Sequence, residues 1–90
     1  MLLHRLKEAR LRKGLSQEKL GVLAQIDEST ASARMNQYER GIHTPDFELV
    51  CRLAEILDVP SCYFYTQEDE LAERVVQWYH EQKRHDNAPS

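Results

Sequence analysis

An all-α fold is what this sequence predicts. Apolar residues recur at helical spacing along the chain, and no stretch alternates polar and apolar residues as a half-buried strand would. The breaks between the periodic segments fall at Gly14, Gly41, Pro45 and Pro60, residue types that end or open helices. Ninety residues suffice for one domain around a single small core.

The first helix is expected over about residues 2–13. Leu3, Leu6, Arg10 and Lys13 share one stripe with Leu11 beside them, and Gly14 suits a left-handed helix terminus. Ser16 is placed to cap a second helix that buries Leu20, Leu23 and Ala24. Asp27 or Ser29 can cap the third, where Ala31, Met35 and Tyr38 fall on one side before Gly41. Thr44-Pro45 is a start signal for the fourth, since proline at the first helical position loses no needed donor. Phe47, Val50, Cys51, Leu53, Ala54 and Leu57 make its broad apolar face, and Val59-Pro60 stops it. Ser61 opens a single turn through Cys62, Tyr63 and Phe64. A last helix starts near Thr66, with Asp69 as a capping partner, and runs to about Lys83; the terminal HDNAPS is expected to be a frayed tail.

The net charge of −3 conceals an asymmetry: residues 1–45 carry eight Lys or Arg against five acids, while residues 46–90 carry four against ten. The first half is thus +3 and the second −6, a basic contact face with an acidic remainder. No apolar run approaches the roughly 20 residues that cross a bilayer. No apolar secretion signal opens the chain, so a reduced, cytoplasmic protein is expected, with Cys51 and Cys62 as small core residues. His4, His80 and His85 lack ligand spacing, so no metal or other cofactor is expected. There is no glycine-rich phosphate cradle and no nucleophile with a recognisable base, so no enzyme is expected either.

Leu15-Ser16-Gln17-Glu18 with Leu20, then Tyr38-Glu39-Arg40-Gly41, then Pro45, Phe47 and Leu53-Ala54-Glu55-Ile56-Leu57-Asp58-Val59-Pro60 resemble the lambda-repressor and Cro-like helix-turn-helix proteins, the XRE family. The likeness covers about residues 3–65. It implies a five-helix DNA-binding domain, followed here by a C-terminal amphipathic helix. Its second and third helices would form the helix-turn-helix, and the third would enter the major groove of double-stranded DNA. Residues 1–66 are then the DNA-binding domain, and residues 67–90 a C-terminal helix and tail.

Gly21 stands where the family has a small alanine, which weakens the helix by about 0.5–1 kcal/mol relative to Ala. Gln25 stands where its turn has glycine, and the stretch from Gln17 to Gly41 is about four residues longer than the usual pattern. Four residues is close to one helical turn, so an N-terminal extension of the third helix keeps Ala31 and Met35 in phase with Tyr38. The other reading loops out residues 27–30.

With Met35 facing the core, helical geometry puts Ala33, Gln37 and Thr30 opposite, Arg40, Ser29 and Asn36 on one flank and Arg34 on the other. Gln and Asn can pair bidentately with adenine and Arg with guanine, and Thr or Ala methyls can meet the thymine methyl. Ser29, Thr30, Ala33, Arg34, Asn36 and Gln37 are therefore the expected base readers. Gln17 resembles the family's phosphate-contacting glutamine at a helix N-terminus. Arg40, His43 and Thr44 are further candidates for the DNA backbone, and Arg10 and Glu39 match a family pair expected to be structural.

In the last helix, Leu71, Val75, Trp78 and Tyr79 fall on one apolar stripe, for which a homodimer contact is expected, because a two-fold pair reads two half-sites. Folding of the stripe back on its own core is the other reading. The expected function is that of a sequence-specific DNA-binding transcriptional regulator of a bacterium or phage. The alternative is an antitoxin-like or other module that binds a protein partner on the same scaffold.

Overall fold

The computed structural model describes residues 1–86, which form five α-helices and one short 3₁₀ helix, with no strand among them. They are α1 (Leu3–Arg12), α2 (Gln17–Leu23), α3 (Glu28–Glu39), α4 (Phe47–Leu57), the 3₁₀ helix Ser61–Tyr65, and α5 (Asp69–Asp86). Of the expected frayed tail, His85 and Asp86 belong to α5, and residues 87–90 lie outside the described residues.

Side chains close the N-termini of α2, α3 and α4. The Ser16 hydroxyl accepts from the amide of Lys19 at 3.0 Å, the Asp27 carboxylate from Ser29 at 3.0 Å, and Asp46 from Leu49 at 2.8 Å. Thr44-Pro45 therefore announces α4 two residues early: Asp46 offers the orphan amides an acceptor, and the buried Pro45 sits outside the helix. The Asp27 cap also decides how the four extra residues are used. They form the first turn of α3 rather than a loop. Between α2 and α3 the chain turns through Gln25 at φ +72°, with the amides of Gln25 and Ile26 donating to the carbonyls of Val22 and Gly21 at 3.0 and 2.9 Å.

One core runs through all the helices. Leu6, Leu20, Met35, Val50, Leu53, Tyr63 and Phe64 are fully buried, and Ala72 and Val76 bring α5 into the same cluster. Gly21 earns its place where α2 meets α3, since a Cβ there would lie 2.8 Å from the Ala31 Cβ and 3.0 Å from its carbonyl oxygen.

The expected core differs from the observed one in its phase. Leu3 and Leu11 are exposed while Arg5 and Ala9 are buried, so α1 is rotated toward its arginine side. Leu23 is exposed at the end of α2. On α4 the buried line is Leu49, Val50, Leu53, Ala54 and Leu57, which leaves Phe47 and Cys51 outside it. Cys51 and Cys62 are both exposed free thiols, not core residues, because neighbouring Val50 and Tyr63 already fill the interior.

Arg5 joins α1 to the start of α5. Its guanidinium donates to the carbonyl of Thr66 at 2.9 and 3.1 Å and to that of Gln67 at 3.2 Å, meets the Asp69 carboxylate at 3.0 Å, and lies over the Tyr63 ring. The far end of α5 is held by Asp58, the left-handed residue that ends α4 at φ +58°. Lys83 Nζ donates to Asp58 Oδ1 at 2.6 Å, and His80 Nε2 lies 2.7 Å from the Asp58 carbonyl oxygen, which requires that nitrogen to carry the proton. The hydrogen bond from Lys83 lowers the Asp58 pKa.

Candidate nucleic-acid interface

Three buried apolar side chains, Ala31, Met35 and Tyr38, fix the rotation of α3. Since the helix advances about 100° per residue, they determine what the opposite face presents. Thr30, Ala33, Arg34 and Gln37 lie together on that face, beside His43 and Thr44 from the loop that follows. The loop is folded back because the amide of Ile42 donates to the carbonyl of Gln37 at 3.0 Å, after Gly41 has turned the chain at φ +76°.

On the other flank, Lys7, Ser16, Gln17, Asn36 and Arg40 line a second notch, where α1, the start of α2 and the end of α3 converge. Arg10 and Glu39 form its floor. Arg10 Nε donates to Glu39 Oε2 at 2.6 Å and Nη2 to Oε1 at 3.1 Å, and the two side chains are only 10% and 5% exposed. Arg10 Nη1 also donates to the Leu15 carbonyl at 2.9 Å, tying the loop before α2 to α1. The Gln17 amide donates to Glu39 Oε1 at 3.3 Å, so the pair that staples the helices also orients Gln17 beside the free amides of α2.

The expected residues thus divide between two notches on either side of an outward ridge. Asn36 and Arg40 share a wall with Gln17, whereas Arg34 lies with His43 and Thr44. Ser29 stands at the N-terminal end of the ridge, where its backbone amide and then its hydroxyl, donating to Asp27 Oδ1 at 3.0 and 2.9 Å, hold the Asp27 carboxyl below its usual pKa. Lys7 was not among the expected residues, although it precedes Arg10 by three positions and so shares its side of α1.

α5 presents less of its expected stripe than the apolar spacing suggests. Leu71 and Trp78 are 49% and 61% exposed, while Val75 and Tyr79 are half-buried, with Val75 against the core. The inward line is Ala72 and Val76, one residue further on. Among the described residues, no group of three or more His, Cys, Asp or Glu is placed to hold a metal ion, and no helix is long and apolar enough to cross a membrane.

Two helices joined by a tight turn, the second capped, outward-facing and polar, define the helix-turn-helix class. The helix-turn-helix family matches residues 6–64, and the chain belongs to that family. It is similar over more than the matched segment to a crystal structure described as transcriptional regulator BswR, with 49% sequence identity and a TM-score of 0.85. That likeness covers 94% of this chain and 87% of the other. A comparison with curated proteins found no match.

Proposed function

We propose that this protein is a sequence-specific DNA-binding transcriptional regulator of a bacterium or phage that lays α3 in the major groove. The observation that carries this reading is the outward side of α3, a ridge of small and amide side chains set between two polar notches. An ordinary solvated helix face would be rich in Lys and Glu, whereas a face that approaches base edges needs short side chains and amides. Thr30, Ala33, Arg34, Asn36 and Gln37 read bases, with Ser29 at their end. Gln17, Arg40, His43 and Thr44, together with Lys7, meet the phosphates on the two flanks. The printed description of the similar structure as a transcriptional regulator supports the reading.

The regulator acts as a homodimer, with Leu71 and Trp78 as the anchors of the α5 contact. Both are large apolar side chains left exposed, and a two-fold pair doubles the number of bases read. Selection of bound sites from random DNA tests the proposal, followed by titration of the selected site at several salt concentrations. It expects one recurrent motif repeated with two-fold symmetry about one helical turn apart, and an affinity that falls steeply with salt. No enriched motif, together with a tight protein partner, would favour the interaction-module reading instead. For the dimer, Trp78→Ala is expected to sediment as a monomer at micromolar concentration where the wild-type protein sediments as a dimer. A monomeric wild-type protein, both free and on its operator, contradicts it.

A further inference from the structure

The ridge of α3 offers fewer polar groups than its residue types suggest, because two of its hydroxyls are already engaged. The Thr30 hydroxyl donates to the carbonyl of Asp27 at 3.2 Å and the Ser29 hydroxyl to the Asp27 carboxylate at 2.9 Å. Ala33 has only a methyl group. The Arg34 guanidinium donates along the helix to the Tyr38 hydroxyl at 3.3 Å, on the flank of the ridge. The side-chain amide of Gln37, by contrast, makes no hydrogen bond within the described residues, although only its backbone carbonyl is needed by the loop. Thr30, Ala33 and Gln37 occupy one line at positions i, i+3 and i+7. What that line leaves for a partner is a methyl, a methyl and a free amide.

These groups match one kind of base pair. A side-chain amide sets a donor group beside an acceptor group, so its NH₂ can donate to N7 of adenine while its oxygen accepts from N6, whereas guanine presents two acceptors at the same edge and leaves the amide oxygen unpaired. Methyl groups find an apolar partner in the major groove only at the C5-methyl of thymine. Resting on the reading of α3 as the groove helix, we propose that each half-site carries an A·T pair read by Gln37. Thymines lie beside it, and their methyl groups pack against Ala33 and Thr30. With a rise of 1.5 Å per residue, Ala33 lies about 6 Å and Thr30 about 10 Å along the helix from Gln37, so the thymines fall within about three base pairs of the adenine.

The test uses the full chain and the site selected from random DNA, with each thymine in turn replaced by uracil, which differs only in lacking the methyl. At one or two thymines near the Gln37-dependent pair, uracil is expected to weaken binding about fourfold, the value of one buried methyl-sized group. Thr30→Ser keeps the hydroxyl that donates to the Asp27 carbonyl and removes the methyl, so it is expected to abolish the uracil effect at its own position and no other. Uracil substitution without effect at every position, while Gln37→Ala still relaxes base preference, overturns the thymine contacts and leaves the groove reading standing. Selection of guanine at the Gln37-dependent position overturns the adenine assignment. Base preference indifferent to every change on α3 overturns the groove reading itself.

Discussion

Glu39→Ala removes one half of a buried, bidentate ion pair and is expected to cost a large share of the fold's stability. Arg10 and Glu39 are 10% and 5% exposed, and two of the guanidinium nitrogens bond Glu39 at 2.6 and 3.1 Å. After truncation of Glu39 those donors keep their burial and lose their acceptor, while only Nη1 retains a partner, the Leu15 carbonyl. Breaking a buried pair from one side costs about 3–5 kcal/mol. A chain of 90 residues holds about 5–13 kcal/mol in total. With a urea slope of about 1–1.5 kcal/mol/M, the denaturation midpoint should fall by about 2–5 M, for Arg10→Ala as for Glu39→Ala. The joint replacement Arg10→Met/Glu39→Leu removes both charges and fills the space, so it should recover most of the loss. Circular dichroism against urea decides it: midpoints of both single variants within about 0.5 M of the wild-type protein would refute the reasoning.

Gly21→Ala should destabilise the fold by about 1–3 kcal/mol despite its better helix propensity, because the new methyl meets Ala31 at 2.8 Å, and Gly21→Ala/Ala31→Gly should restore part of the loss. Urea midpoints of the two variants check this. Tyr63→Phe should leave the stability unchanged or raise it by up to about 1–3 kcal/mol, since the Tyr63 hydroxyl is buried without a partner among the described residues; a lowered urea midpoint would reveal one. Asp58 has its folded-state pKa lowered below the ordinary carboxylate value of 3.8, chiefly by the hydrogen bond from Lys83, so its contribution is present above that value and is lost as pH falls through the lowered pKa. The difference in melting temperature between the wild-type protein and Asp58→Asn should therefore be constant near neutrality and shrink on acidification below about pH 4. A difference that grows toward acid would contradict the assignment.

Helix existence and order were legible because each helix carries its own periodicity, and α2 and α3 also carry side-chain caps in Ser16 and Asp27. The extra turn of α3 was legible only as one of two readings, because Ala31, Met35 and Tyr38 stay in phase whether residues 27–30 are helical or looped out; the Asp27 cap decides for the helix. Rotation was harder to read wherever a helix carries apolar residues on more than one side. On α4, Phe47 and Cys51 compete with Leu49 for the same face, and on α5 the small residues Ala72 and Val76 win burial over Leu71 and Trp78 because they permit close approach. Arg5 was not legible as a core residue, since its partners are backbone carbonyls of Thr66 and Gln67, more than 60 positions away, and carbonyls carry no sequence signature. Within the proposed interface, the outward placement of Asn36 and Gln37 follows from helical geometry, whereas Gln17 rests on the family resemblance. Lys7 needed the convergence of α1 with the end of α3 to come into view.

The most direct test of α3 as the reading helix is the affinity of the wild-type protein and Gln37→Ala for the selected site and for every single-base variant of it. Gln37→Ala should lose preference at one or two positions, by about 1–3 kcal/mol, and keep the wild-type preference elsewhere. Lys7→Ala should instead weaken binding to all variants alike and reduce the salt slope by about one. A Gln37→Ala profile that follows the wild-type profile at every position would contradict the placement of α3 in the groove.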